Sequence, residues 1–185
     1  MRIISGKFKG RRFEPPTNIT ARPTTDFAKE SLFNLINNDM DIDGCTALDL
    51  FSGTGSISYE LASRDAHHIT SVEMSDRHIA FIRKTCTTLK INNIRIVKQD
   101  VFRFLESTHD QYDFIFADPP YQLEKIDAIP DAVIGNNHLT DDGIFVLEHG
   151  KQSDFSNHPA FYQHRTYGNV HFSFFKKQST SPTAE

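Results

Sequence analysis

The 185-residue sequence has no tryptophan, only two cysteines and no long apolar run. Cys45 and Cys86 lack the paired spacing of a zinc or redox site, so we interpret both as small hydrophobic residues in a reducing compartment. The nine histidines are scattered and form no metal-ligand motif. The absent apolar runs and the opening MRIISGKFKG argue against a membrane span and a secretory signal. These absences predict a cytoplasmic protein that uses neither a metal nor a membrane.

The length and composition fit one globular domain with two small appendages. A chain of this length buries most of its apolar surface without disulfides or a metal. We predict a basic hairpin arm over residues 1–22, a main domain over residues 23–177 and a disordered polar tail over residues 178–185. We expect a monomer.

Basic residues are concentrated at the N-terminus, although the whole chain carries a net charge of −4. Residues 1–30 carry +4 and the rest carries −8, which predicts that the arm meets a polyanion. The alternative is a surface hairpin whose charges only keep it soluble. The candidate RNA-binding cations are Arg2, Lys7, Lys9, Arg11, Arg12 and Arg22.

Strand and helix patterns alternate after the arm. Residues 23–38 have helical periodicity, and apolar strands at 45–51, 68–74, 94–100, 112–118 and 143–149 are separated by helical segments. Residues 161–177 predict an antiparallel hairpin around Gly168. The sequence therefore predicts an α/β fold: a doubly wound, mainly parallel seven-stranded sheet with a C-terminal antiparallel hairpin and a small N-terminal β-hairpin arm.

Acidic residues recur where the predicted parallel strands end, which is where open α/β sheets bind ligands. LDLFSGTGS carries Asp49 and two glycines, Gly53 and Gly55, that let a ligand approach the backbone. Glu73 ends the second strand and suits the hydroxyls of a ribose, and Asp100 ends the third and suits an adenine amino group. Each acid also has a structural alternative, a salt bridge or a helix cap. Together they predict a pocket for an adenosine without phosphates.

The sequence FIFADPPYQ ends the fourth strand with a carboxylate, two prolines and an aromatic ring. The prolines fix the backbone and remove two donors, so Asp118 and the carbonyl of Pro119 are both acceptors for one planar amino group. Tyr121 offers a face on which a flat base can stack. The alternative is a rigid turn with a packing tyrosine.

These motifs resemble class I S-adenosylmethionine-dependent methyltransferases that modify exocyclic amines. RIISGKFKGRRF, RPTTDFAKESLFNLI, DPPY and YGNVHFSFF resemble, more narrowly, the RsmD family, over about residues 2–175. Members of that family methylate the N2 amine of a guanine, position 966 in the usual rRNA numbering, in 16S rRNA of the small ribosomal subunit. The resemblance implies a Rossmann-like fold.

The resemblance also implies roles for individual residues. Catalytic roles fall on Asp118, Pro119, Pro120 and Tyr121. Binding of S-adenosylmethionine falls on Asp49, Ser52, Gly53, Thr54, Gly55, Glu73, Met74, Asp100 and Val101. Three alternatives stay open: a DNA adenine-N6 methyltransferase, which normally needs a larger recognition domain; a protein glutamine methyltransferase, whose loop begins with asparagine; and a non-catalytic RNA-binding assembly factor.

Overall fold

A computed structural model describes residues 1–15 and 25–177. Its helices are α1 (Asp26–Asp39), α2 (Ser56–Ser63), α3 (Asp76–Leu89), α4 (Val101–Ser107) and α5 (Ile129–Ile134), the last preceded by a 3₁₀ turn at Ile126–Ala128. Its strands are β1 (Thr46–Leu50), β2 (His68–Glu73), β3 (Ile94–Lys98), β4 (Tyr112–Ala117), β5 (Leu139–His149), β6 (Phe161–Tyr167) and β7 (Val170–Phe175). Arg22, the predicted boundary at residues 22–23 and the predicted tail lie outside the described residues.

The seven strands form one sheet in the order β3-β2-β1-β4-β5-β7-β6. β1 to β5 run parallel, whereas β7 runs antiparallel to both β5 and β6. The predicted fold class, including the C-terminal hairpin, is confirmed. Strand order reverses between β1 and β4, so the carboxyl ends of these two strands border the crevice typical of ligand sites in such sheets.

Alternation of side chains along the strands gives the sheet two apolar faces. One face packs against α1 and α2 and includes Phe116, Val146 and Phe172. The opposite face packs against α4 and α5 and includes Leu147 and Phe175. Residues at odd and even positions of a strand therefore belong to different layers, which decides where each strand-end side chain lies.

The N-terminal arm folds back on itself and packs against α2. Arg2 and Arg12 form an antiparallel bridge, and Ile3 is buried with Tyr59 and Ile82. The amide of Ile4 donates to Glu60 Oε2 at 2.8 Å. The arm is thus fixed to the domain by apolar burial and by hydrogen bonds to a buried carboxylate.

Two local features differ in detail from the sequence interpretation. The helical segment before the fifth strand contains Pro130, a residue that weakens a helix interior, but it lies in the first turn of α5, where the missing N–H removes no helical hydrogen bond. β5 begins at Leu139 rather than near Gly143, with a register shift opposite β4. In the described part of the chain, no helix has the length and apolarity needed to cross a membrane.

Candidate active site

The loop after β1 is tied to β2 by Ser52. The Ser52 amide donates to the Val72 carbonyl at 3.1 Å, and the Ser71 hydroxyl donates to Ser52 Oγ at 2.8 Å. Thr54 is also buried, and its hydroxyl lies 3.9 Å from Met1 Sδ in the arm. The loop is therefore held from both sides before any ligand binds.

The two loop glycines are required for different reasons. Both have positive φ, +52° at Gly53 and +81° at Gly55. A Cβ on Gly55 would lie 2.8 Å from the ring of Tyr59, so this glycine is needed for packing. A Cβ on Gly53 would meet nothing nearer than Phe51 O at 3.9 Å. Gly53 therefore leaves open space at the rim, the carboxyl ends of β1, β2 and β4 with the loops that follow them. A site that receives a ligand against the backbone requires such space.

Asp49 is buried at the end of β1 and anchors the start of α2. Its Oδ2 accepts from the Ser58 amide at 3.0 Å and from the Ser58 hydroxyl. Because Gly55 has no side chain to cap α2, Asp49 satisfies one of the helix's first free N–H groups. Burial raises the pKa of Asp49 to about 7, and the Ser58 hydrogen bonds oppose this rise.

Glu73, at the end of β2, joins two loops through its carboxylate. Oε2 accepts from the Gly53 amide at 2.8 Å, and Oε1 accepts from the amides of Met74 at 2.9 Å and Ser75 at 2.8 Å. A carboxylate has about four acceptor positions, and three are used by these amides. His78 Nδ1 also lies 3.3 Å from Oε2, so at most one position is left for a ligand hydroxyl. Met74 itself is 61% exposed beside this carboxylate.

Asp100 has the structural role that the sequence left open as an alternative. It is the N-cap of α4, and its Oδ1 accepts from the Arg103 amide at 3.1 Å. Val101 begins that helix and is buried. This capping does not test the adenine contact, which stays a prediction.

The Asp118-Pro119-Pro120-Tyr121 loop follows β4 directly. The Asp118 amide donates to Leu50 O at 3.3 Å, which ties this loop to the end of β1. Burial raises the pKa of Asp118 well above its ordinary value, and the nearby Glu148 and Asp49 carboxylates raise it further. Pro119 is buried, Pro120 is exposed and Tyr121 is half-buried.

Sequence reasoning missed Glu148, a buried acid near the end of β5. Ala117 pairs with Leu147, so Asp118 and Glu148 are neighbours across parallel strands. The Tyr121 hydroxyl donates to Glu148 Oε1 at 3.4 Å. The available signal was the one used for Asp49 and Glu73, an acid at the carboxyl end of an apolar strand.

A buried ion pair between Lys29 and Glu60 was also missed. Their charged atoms lie 3.6 Å apart, and both side chains are almost fully buried. Lys29 Nζ also donates to the Ser56 hydroxyl at 3.2 Å and to the Arg2 carbonyl. The pair therefore connects α1, the arm and the first residue of α2.

The arm cations divide into two groups. Arg2 pairs with Asp26 at 3.1 Å, and Lys7 pairs with Asp65 at 2.7 Å. The other group is exposed, and in residues 1–15 and 25–177 no carboxylate lies within ion-pair distance of it: Lys9, Arg11 and Arg12. The prediction that all five described cations contact RNA stays untested, but only three are without an acidic partner in this part of the chain.

The topology brings most of the predicted site together. β1 lies between β4 and β2, so Asp49, Glu73 and Asp118 meet at the carboxyl edge of three adjacent strands. Asp100 follows β3, one strand further out. Within the described residues, no group of three or more histidine, cysteine or acidic side chains is arranged to hold a metal ion.

Comparisons with known proteins agree with this architecture. "Ribosomal RNA small subunit methyltransferase D" of Buchnera aphidicola is 33% identical over 80% of this chain and 75% of its own length. The Escherichia coli protein of the same name is 28% identical over 97% of this chain and 91% of its own length.

A solved structure and a family model extend the likeness to almost the whole chain. The structure of the Escherichia coli protein yhhF superposes with a TM-score of 0.83 at 27% identity, covering 96% of this chain and 97% of that one. The family model described as "Conserved hypothetical protein 95" matches residues 1–176. The chain therefore belongs to this family, the RsmD methyltransferase family.

Proposed function

We propose that the protein transfers a methyl group from S-adenosylmethionine to the exocyclic N2 amine of a guanine in 16S ribosomal RNA. The relatives named as small-subunit rRNA methyltransferases support the reaction and the class of RNA. The observation that carries the proposal is the position of the Asp118-Pro119-Pro120-Tyr121 loop. The loop lies where the strand order reverses between β1 and β4, beside Gly53 and Glu73.

The charges and the open space of the rim suit S-adenosylmethionine. Asp49 is buried and Asp118 is half-buried, and the pKa values of both are raised, so a cationic ligand would favour their ionised forms. S-adenosylmethionine carries such charges on its sulfur and on its α-amino group, and when bound it supplies the methyl group. Gly53 leaves the rim open, and Glu73 keeps at most one acceptor position for a ribose hydroxyl.

In this proposal, Asp118 and the Pro119 carbonyl accept hydrogen bonds from the guanine amine. These bonds localise the nitrogen lone pair and aim it at the methyl carbon. The new N–C bond forms as the C–S bond breaks, its electron pair stays on sulfur, and the surplus proton leaves the nitrogen for a carboxylate or water. The Tyr121 ring supports the base, and Glu148 holds the tyrosine hydroxyl from behind.

The target base must leave its stack to reach this rim, because Asp118 is half-buried at the carboxyl end of β4. Phosphate contacts from Lys9, Arg11 and Arg12 would hold the RNA while it does so. The arm's attachment to α2, which begins just after the cofactor loop, keeps RNA contacts and the rim in one rigid unit.

The proposal is tested by tritium transfer from labelled S-adenosylmethionine to small ribosomal subunits and to free 16S rRNA from cells lacking this gene. We expect label on a single guanine N2 atom, mapped by nuclease digestion and mass spectrometry. Asp118→Ala protein that still binds cofactor is the negative control. Label in adenine of added DNA would support the DNA alternative instead, and tight RNA binding without any transfer would support an assembly factor.

A further inference from the structure

Three large apolar side chains are exposed in residues 1–15 and 25–177: Phe27, Met74 and Tyr162. Met74 borders the cofactor rim next to Glu73, and Tyr162 lies under the ammonium of Lys176, 4.2 Å from its ring centre. Phe27 is 68% exposed in the first turn of α1, and neither role applies to it. Most of the Phe27 ring is therefore accessible to a partner of the protein.

Phe27 belongs to a chain of aromatic contacts that leads inward. Its ring lies 5.9 Å from that of Tyr167 at 78°, an edge-to-face arrangement. Tyr167 in turn lies 6.1 Å from the buried ring of Phe172. Such pairs hold aromatic rings in defined orientations, so Phe27 and Tyr167 are fixed at the surface rather than free to collapse onto it.

The strand register places this aromatic chain next to the catalytic loop. Phe172 pairs with Glu148 on β5, which neighbours Asp118 on β4. Asp118, Glu148 and Phe172 continue the strand positions that face α1 and α2, so all three lie on one side of the sheet. Three strand spacings separate β4 from β6, which puts Tyr167 about 14 Å from Asp118 along the carboxyl edge.

We propose that Phe27 and Tyr167 form a stacking platform for an unpaired RNA base close to the target nucleotide. The inference rests on the proposed function, because a target base that leaves its stack also leaves a neighbour unstacked. Aromatic side chains bind such a base by its face and without sequence preference. The platform shares the edge and side of the sheet that carry Asp118, so one RNA strand can reach both.

The first test separates RNA recognition from chemistry. Phe27→Ala should raise KM for the RNA substrate between about fivefold and about a hundredfold, the range expected when one stacked base is lost. The value of kcat and the affinity for S-adenosylmethionine should stay unchanged. Phe27→Tyr should restore KM because it keeps the ring, and Tyr162→Ala, the matched exposed aromatic, should behave as wild type. Unchanged KM in Phe27→Ala would overturn the platform.

The second test uses the absence of tryptophan from the chain. In Phe27→Trp the single indole should be quenched by a single-stranded oligoribonucleotide, whereas the indole of Tyr162→Trp should not. Equal quenching in both variants, or none in either, would overturn the platform. A dimer that Phe27→Ala dissociates in sedimentation equilibrium would also overturn it, by assigning the ring to a second copy.

These readouts distinguish the platform from the reaction itself. Absence of methyl transfer by the wild-type protein to any RNA would refute the proposed function, whereas fluorescence quenching depends only on binding. Selective quenching in Phe27→Trp together with absent methyl transfer would support the platform as an RNA contact and refute the proposed methyl-transfer reaction.

Discussion

The Glu73 carboxylate accepts a hydrogen bond from the Gly53 amide across 2.8 Å, so the acid that ends β2 holds the glycine loop that follows β1. Its other oxygen holds the Met74 and Ser75 amides at the start of the next loop. One side chain therefore shapes both walls of the proposed ribose site. Its effect on a ligand has two parts, direct contact and the shape of the loop.

Glu73→Ala should weaken S-adenosylmethionine binding by about 1–3 kcal/mol, because buried hydroxyls and loop amides lose their acceptor. Glu73→Gln should weaken it less, since the amide oxygen can still accept from one loop. Isothermal titration calorimetry measures both. Glu106→Ala, an exposed acid on α4, is the control and should bind as wild type. Unchanged affinity in Glu73→Ala would remove this residue from the site.

Asp49 should make the unliganded protein less stable as pH rises. Its folded pKa of about 7 lies above the ordinary 3.8, so the folded state holds a proton that the unfolded state has released between these values. The stabilising contribution is complete below about pH 4 and is lost as pH rises through about 7. The difference between the two pKa values corresponds to about 4 kcal/mol in the free energy of unfolding.

Urea unfolding between pH 4.5 and pH 8 measures this effect when wild type is compared with Asp49→Asn. The amide keeps an oxygen for the Ser58 donors but has no proton to lose, so the variant should lack the Asp49 part of the decline. Parallel stability curves for the two proteins would contradict the assignment of this titration to Asp49. Saturating S-adenosylmethionine should flatten the wild-type curve, because a bound cation favours the ionised carboxylate.

Replacement of Lys29 should lower the free energy of unfolding more than replacement of any other lysine in the described residues. Within residues 1–15 and 25–177, Lys29→Ala leaves the buried Glu60 with one cationic partner, the Arg64 guanidinium 3.0 Å away, and should cost about 3–5 kcal/mol. Lys84→Ala, an exposed lysine on α3, is the control and should change the free energy of unfolding by less than about 0.5 kcal/mol. Equal unfolding midpoints for the two variants would show that the buried pair contributes no stability.

The sheet and most of its rim could be predicted because the signals are local. Apolar strands at regular spacing fix the order of elements, and an acid after each strand reaches the same edge wherever the helices pack. The Lys29–Glu60 pair could not be predicted, since it joins residues 31 positions apart through packing of α1 on α2. The packing role of Gly55 could not be predicted for the same reason, because the Tyr59 ring approaches Gly55 only once α2 has formed.

Reversing the exposed arm cations should flatten the salt dependence of RNA binding. The triple variant Lys9→Glu, Arg11→Glu and Arg12→Glu should reduce the slope of log K against log salt by about 2–3, since each lost phosphate contact removes about 0.7–0.9. Reversal of Arg83, Lys84 and Lys90, exposed cations of the α3 region, is the matched control. An equal change in slope for both triples would mean that RNA responds to overall charge and that the arm has no special role.

Asp118 should matter more as an acceptor than as a base. Asp118→Ala should lower methyl transfer by about a hundredfold or more while cofactor affinity stays close to wild type, because the amine loses its orientation and the prolines still fix the loop. Asp118→Asn should lose less, since its amide oxygen accepts a hydrogen bond without taking up a proton. Single-turnover transfer, with cofactor affinity measured in parallel, ranks the three proteins.

The pH dependence of the same rates separates orientation from proton removal by Asp118. Burial and the nearby Glu148 raise the pKa of Asp118 in the unliganded protein, and bound S-adenosylmethionine opposes that rise. The wild-type rate should therefore fall with acidification as the carboxylate takes up a proton. Asp118→Asn should lack that fall, because its acceptor does not titrate. If Asp118→Asn is instead as slow as Asp118→Ala at every pH, with cofactor bound equally, the carboxylate acts through its charge or as a base. Wild-type turnover by Asp118→Ala on an assembling small subunit would remove Asp118 from the chemistry.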